Sequence, residues 1–186
     1  TTDLQARAIK NSDNTFILTF KDGRIHKFGS DGRLLWRQDR NGNQTTLNYH
    51  ATTGSLTGIT DAVGRTLSIE LNGNGNITKI YDSMSTIATY EYIPSTNRLS
   101  SVVYHDDSRH DFEYTATPVN GRYLLKKVRD ALGNVLETHE YNSNGRATTS
   151  EVANGVEKYT FDYTNPAMTV VTDAAGVITK FYFNAG

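Results

Sequence analysis

The chain has 186 residues, of which 37% are hydrophobic, 10% aromatic and 21% charged, with a net charge of −1. That is too aromatic for a disordered chain and too evenly charged for a surface that grips nucleic acid or an anionic membrane. There is no cysteine, which excludes disulfides and thiolate metal sites, and no apolar run long enough to span a bilayer as a helix.

Read in chain order, the elements are short strands and turns. Ala8-Ile9-Lys10 forms an entering strand that stops at Asn11–Asn14. Phe16, Leu18 and Phe20 alternate as a half-buried strand does, and Asp22-Gly23 turns the chain. The following Ile25–Phe28 segment does not pair cleanly with Phe16–Phe20, so a bulge is predicted between them. Asp31-Gly32-Arg33 is the next turn, followed by Leu34, Leu35 and the single tryptophan, Trp36. Leu67, Ile69 and Leu71 alternate ahead of Asn72–Asn76, whose glycines lie between strands and make a turn, not a phosphate cradle. A turn at Asp107-Ser108 would set His105 opposite His110 and Val103 opposite Phe112. Tyr159, Phe161 and Tyr163 form the last clear alternation, and no convincing helix occurs. Fifteen glycines stand against three prolines (Pro94, Pro118, Pro166), so the turns are built from Gly and Asn.

These elements repeat. Asp-x-x-Gly occurs at Asp39–Gly42, Asp61–Gly64, Asp130–Gly133 and Asp173–Gly176, with gaps of 22, 69 and 43 residues. The gaps are multiples of one period, and acids stand where copies are missing, at Asp82, Asp106 and Glu151. A second turn column runs through Gly32, Gly54, Gly75, Asn97, Gly121, Gly145 and Pro166. Ahead of it lies an apolar column, Phe28, Tyr49, Leu71, Tyr92, Tyr114, Tyr141 and Tyr163. Behind it come pairs three apart, such as Leu56/Ile59, Ile77/Ile80 and Leu125/Val128. The expectation is an all-β fold of tandem β-hairpin repeats, a curved and twisted antiparallel sheet that stays open. Residues 1–186 form one array of about seven repeats, with an entering hairpin at 1–27 and regular repeats at 28–186.

The columns resemble the YD-repeat, or Rhs-repeat, family, whose pattern is roughly Tyr-Asp-x-x-Gly-Arg-Leu-x-x-Val-x-Asp-x-x-Gly. Phe28–Leu34, Tyr49–Arg65 and Tyr141–Arg146 carry the resemblance, which extends over nearly the whole chain after about residue 15. It implies a spiralling sheet that closes, in long bacterial Rhs and toxin-complex proteins, into a hollow shell around a C-terminal toxin domain. Related repeats occur in wall-associated proteins and animal teneurins, and carbohydrate binding has been proposed for them. The family's self-cleaving Asp-Pro-x-Gly-Leu-like element has no match, since Asp61-Ala62-Val63-Gly64 lacks its Pro and Leu. The chain is too short to close a shell and Thr1–Leu4 is no signal peptide, so it reads as a segment of a longer exported bacterial protein. Its expected partners are flanking repeats and a C-terminal toxin or effector domain. Glycans are the alternative partner, for a surface binding module.

Candidate chemistry is thin. Acids that recur once per repeat at turns have a local role, because an Asp carboxylate accepts backbone N–H groups two residues on. Asp39, Gly42, Asp61, Gly64, Asp130, Gly133, Gly145, Asp173 and Gly176 are therefore expected to be structural turn residues, and no enzyme, cofactor or metal role is expected. Asp39–Asn43 alternates oxygen ligands but lacks the length and closing Glu of a calcium loop. His105 and His110 would be a zinc pair without a third ligand. Trp36, with neighbouring tyrosines, is the first suspect for sugar stacking, although a lone tryptophan more often belongs to a core or cap. Open sheet edges are expected to promote self-association.

Overall fold

The computed structural model describes residues 6–152 and 155–183. The chain forms two compact units, residues 1–89 and 90–186. The first holds β1 (Ala6–Lys10), β2 (Phe16–Phe20), β3 (Ile25–Phe28), β4 (Leu34–Gln38), β5 (Gln44–Tyr49), β6 (Leu56–Thr60), β7 (Thr66–Leu71) and β8 (Ile77–Tyr81). β9 (Thr86–Ile93) begins in the first unit and runs into the second. The second continues with β10 (Arg98–Tyr104), β11 (Arg109–Tyr114), β12 (Leu125–Asp130), β13 (Val135–Tyr141), β14 (Ala147–Val152), β15 (Glu157–Asp162), β16 (Met168–Thr172) and β17 (Ile178–Tyr182). Pairing is antiparallel between consecutive strands, so each unit is an open meander. No α-helix occurs among the described residues.

Residues directly opposite each other in an antiparallel pair share a face, as do residues two apart on a strand. In the first unit one face is apolar. Phe16 lies opposite Phe28, Leu47 opposite Ile59, Ile59 opposite Leu67, and Ile69 opposite Ile80, which faces Ala88. The other face carries the row Lys27–Trp36–Thr46–Thr60–Thr66. The second unit divides in the same way. Phe112 opposes Val128, Ser150 opposes Tyr159 and Phe161 opposes Val171 on one face. On the other, Glu113, Lys127, Thr138, Glu151 and Lys158 form a row of alternating charge.

Two local expectations are corrected. β2 and β3 pair without interruption, Phe16 to Phe28 through Thr19 to Ile25, so the bulge predicted between them does not exist. It lies one hairpin later, between Lys27 and Phe28 against β4. There Lys27 faces Trp36 while Phe28 faces Leu34, so Leu35 is the extra residue on β4. The β10–β11 register pairs Val102 with His110 and Val103 with Arg109, not Val103 with Phe112. Asp107 adopts φ +62° and closes a tight turn from Tyr104 to Ser108. His105 therefore sits within that turn, and His110 packs edge-on against Tyr104 at 5.8 Å.

Among the described residues a strand touches only its sequence neighbours within its unit, so neither unit folds a second layer onto its own sheet. Ala88, Val102 and Val128 are the buried hydrophobic residues among those described, and the one fully buried polar side chain, Ser101, donates to Glu91 Oε2 at 2.8 Å. Such a sheet has little core to lose, and what it has is concentrated. Val128→Ala is expected to cost about 2 kcal/mol in urea unfolding, the value of two buried carbon groups. Val152→Ala, at a site 40% exposed on the same face, should cost under about 0.5 kcal/mol. Equal losses at the two sites would mean that burial does not rank the strands.

Candidate functional site

The recurrent site is the turn. Ten turns among the described residues share one geometry, starting at Asn11, Phe20, Gly29, Asp39, Asp61, Asn72, Tyr104, Asp130, Asn142 and Asp173. In each, the first residue's N–H donates to the carbonyl four residues on at 2.8–3.0 Å. The N–H of the fourth residue donates back to the first carbonyl at 2.9–3.1 Å. That fourth residue has φ between +62° and +88°, so it is Gly in eight turns, Asn14 in one and Asp107 in another. This is the three-residue hairpin loop, a type I turn closed by a left-handed residue.

The N–H of the fifth residue finds no backbone acceptor within the turn, and an acidic or amide side chain accepts it in all ten. In six turns the acceptor is the first residue. Oδ1 of Asp39, Asp61, Asn72, Asp130, Asn142 and Asp173 accepts from the third and fifth N–H groups at 2.8–3.0 Å. In the other four it is the third residue, as Asp13, Asp22, Asp31 and Asp106 accept the fifth N–H at 2.9–3.1 Å. The two arrangements satisfy the same donor from two positions. Gly42, Gly64, Gly133, Gly145 and Gly176 are the positive-φ residues of their turns. Asp82 caps a shorter turn through Met84 and Ser85. Glu151 caps nothing: it lies within β14, 3.7 Å from Lys158.

These bonds favour the ionised carboxylate. The Asn43 side chain and backbone hold Asp39 below its ordinary pKa of 3.8. Asn134 does the same for Asp130, whose burial opposes it. Burial also opposes the shift at Asp61, where the Arg65 side chain and backbone prevail. Arginine at the fifth position adds an ion pair to the cap, Arg24 to Asp22, Arg33 to Asp31 and Arg65 to Asp61, each at 2.7 Å.

The tyrosine column joins one repeat to the next. Tyr49 donates its hydroxyl to Leu34 O at 2.8 Å, Tyr114 to Leu99 O at 2.9 Å, Tyr141 to Leu125 O at 2.6 Å and Tyr163 to Ala147 O at 2.9 Å. Each acceptor is the first or second residue of the strand before. In three of the four the residue ahead of the acceptor is an arginine lying over the same ring: Arg33 over Tyr49 at 5.8 Å, Arg98 over Tyr114 at 4.8 Å, and Arg146 over Tyr163 at 5.3 Å. Arg98 is also covered by Tyr123 at 3.7 Å. A Gly-Arg-Leu type turn exit in one repeat thus clasps the tyrosine of the next. Gly54 makes room for one clasp, since a Cβ there would stand 2.1 Å from Arg33 Nη2. Burial raises the pKa of Tyr114 and Tyr141, which keeps those hydroxyls as donors. The aromatic column was visible in the sequence, but the arginines were not singled out. Their signal was the recurrent Gly-Arg after the turn.

Trp36 is half-buried and lies between Lys27 and Thr46, on the face opposite the one that carries Phe28. No tyrosine stands across from it. Asp39 directs its oxygens into its own turn, with Oδ2 accepting from Asn43 Nδ2 at 2.7 Å. Among the described residues no three His, Asp or Glu side chains gather as a metal site. The separation of His105 from His110 removes the predicted histidine pair.

No family model matches the chain, and no curated protein matches it. Among solved structures, TcdB2-TccC3-TEV is similar at 10% identity and a TM-score of 0.48, over 96% of this chain and 13% of that one. The Photorhabdus luminescens Tc holotoxin pore with a mutated TccC3 gives 13% identity and a TM-score of 0.43, over 85% and 13%. TcdB2-TccC3 without its hypervariable C-terminal region gives 14% and 0.43, over 92% and 14%. The chain spans about one seventh of the length of the structures it matches.

Carboxylates whose native pKa lies below 3.8 stabilise the fold above that pH and lose this contribution as pH falls through their native values. The melting temperature should therefore hold from pH 7 to 5 and drop below about pH 4. A variant combining Asp39→Asn, Asp61→Asn and Asp130→Asn keeps the acceptor oxygens and should show a shallower acid limb. An unchanged limb would remove these three caps from the account. Tyr141→Phe should cost about 1 kcal/mol through the lost bond to Leu125. Tyr159→Phe, at a ring 42% exposed, should cost nothing measurable.

Proposed function

We propose that this chain is a non-catalytic stretch of wall in a longer exported bacterial protein, helping to enclose a C-terminal toxin or effector. The observation that carries the reading is the clasp. At four places it joins one repeat to the next by a hydroxyl to a carbonyl, and at three of these a guanidinium also lies over the ring. Residues are spent on continuity of the array, and the conspicuous acids are occupied by backbone N–H groups. Two of the clasping arginines, Arg33 and Arg146, stand in the stretches that resemble the YD-repeat family, Phe28–Leu34 and Tyr141–Arg146. A wall also explains sheets with one apolar and one polar face and no second layer.

A surface carbohydrate-binding module is the second reading, and one feature favours it. Phe161 and Tyr163 hold their rings within 7° of parallel at 6.4 Å, bordered by Asn142, Asn144 and Arg146. That pair, rather than Trp36, is the flat aromatic surface a sugar ring would use.

Limited proteolysis of the full-length natural protein, read by mass spectrometry, separates the two. A wall protects the C-terminal segment until the repeats are cut. Immediate loss of that segment with intact repeats removes the enclosure reading and leaves the binding module. The isolated chain should also associate as its concentration rises, because β17 pairs only with β16 and exposes Ile178, Phe181 and Tyr182. A sedimentation profile independent of concentration would exclude edge pairing.

A further inference from the structure

The apolar face of the first unit is interrupted at one end. Leu18, His26, Arg37 and Thr45 lie directly opposite one another across β2 to β5, which sets a guanidinium against an imidazole. Toward the neighbouring turns, Arg24 joins them. With Gln38, Asp39 and Asn43 these groups line a cavity of about 320 Å³.

Folding accounts for Arg24, which pairs with Asp22 and lies over the Phe20 ring at 4.7 Å, but not for Arg37. The acids nearby are already engaged. Asp22 holds Arg24 at 2.7 Å, and both oxygens of Asp39 are taken up inside its own turn. The Gln38 amide donates to Gly42 O, and that of Asn43 to Asp39. Among the described residues Arg37 has neither an ion-pair partner nor a hydrogen-bond partner, although it points along the same face as His26. His26 is wedged edge-on against Phe20 at 4.8 Å, which fixes its ring.

We propose that this cavity binds a phosphate- or sulfate-type oxyanion, with Arg37 and His26 as its principal donors and Arg24 and Thr45 at its rim. A guanidinium presents a planar fork of N–H donors that matches two oxygens of a tetrahedral anion, and imidazole adds a third donor from the opposite strand. The cavity is larger than one such ion, so the anion binds either free or as the head of a small ester. The site does not depend on the wall reading.

Binding should be coupled to a proton. The charged groups facing His26 are Arg24 and Asp22 at the β2–β3 turn, Arg37 on β4 and Asp39 at the β4–β5 turn, while β2 offers only Leu18 and Phe20. Burial first, then Arg24 and Arg37, hold the imidazole below its ordinary pKa, against the pull of Asp22. A bound anion reverses that balance and raises the pKa. Affinity should then rise as pH falls through the histidine's range and level off below its unliganded value.

The test is imidazole NMR of the 186-residue chain, with the His26 signals identified by His26→Asn. Inorganic sulfate, inorganic phosphate and glycerol 2-phosphate are titrated at an ionic strength held constant with sodium chloride. The expected result is a saturable shift confined to His26, with Kd on the order of 1–10 mM. Sulfate, whose charge is constant from pH 8 to 6, should bind more tightly at the lower pH. Arg37→Gln should weaken binding about tenfold, the loss of one charge-assisted bond. Thr45→Val should weaken it about threefold, which keeps the proposal testable if the Arg37 variant does not fold. Tighter binding of glycerol 2-phosphate supports an ester ligand, and equal binding supports the free ion. Parallel shifts in all five histidines, no saturation, or a Kd untouched in a folded Arg37→Gln overturns the site.

Discussion

Within each unit, among the described residues, a strand is held by the strands before and after it and by no other strand of that unit. Hydrophobic burial, the usual means of fixing register, is therefore weak: Val102 and Val128 are enclosed, but Leu67, Tyr159 and Phe181 on the same kinds of row are at least 40% exposed. Register must be set locally. The three-residue turn does this, because its left-handed fourth residue fixes which residues face each other and a side-chain cap holds its fifth N–H. The tyrosine clasp then supplies what the turns cannot, a contact spanning 15 or 16 residues that ties one hairpin to the next.

This division of labour explains what could be read in the sequence. Turn chemistry is local, so Asp39, Asp61, Asp130 and Asp173 and their glycines stood out as a column. The second turn column seemed different because its acid sits elsewhere: Asp31 caps from the third position, where Asp39 caps from the first. Asn72 and Asn142 show that the two columns share one structure. What depended on conformation rather than composition was hidden. Asp107 is not a residue that announces a positive φ, so the turn was placed too late and His105 was paired with His110. The arginine clasps required a known register, since Arg146 and Tyr163 meet only through the pairing of β14 with β15. The cation cluster at His26 lay out of sight for the same reason, as its cations come from two strands and a turn.

The two faces of each unit are built on different physics. The apolar face carries Phe28, Leu47, Ile59 and Ile69 in the first unit and Phe112, Val128 and Phe161 in the second. The polar face compensates itself: the row Glu113–Lys127–Thr138–Glu151–Lys158 alternates sign, and Arg109–Asp111 and Arg129–Glu113 add pairs across it. Exposed pairs of this kind contribute little stability individually. Their effect is on which neighbours a strand accepts, because a slip of one residue would bring apolar side chains to this face and charges to the other.

A meander clasped only to its neighbours also has a definite response to force. Tension on the last strand of a unit does not load all of its hydrogen bonds together. It peels that strand from one end, breaking one ladder bond after another until it reaches a clasped tyrosine, where a hydroxyl and, at three of the four clasps, a stacked guanidinium must give way together. Extension under load should then proceed in steps of one repeat, each set by a single clasp, and the order of rupture should follow the order of the chain.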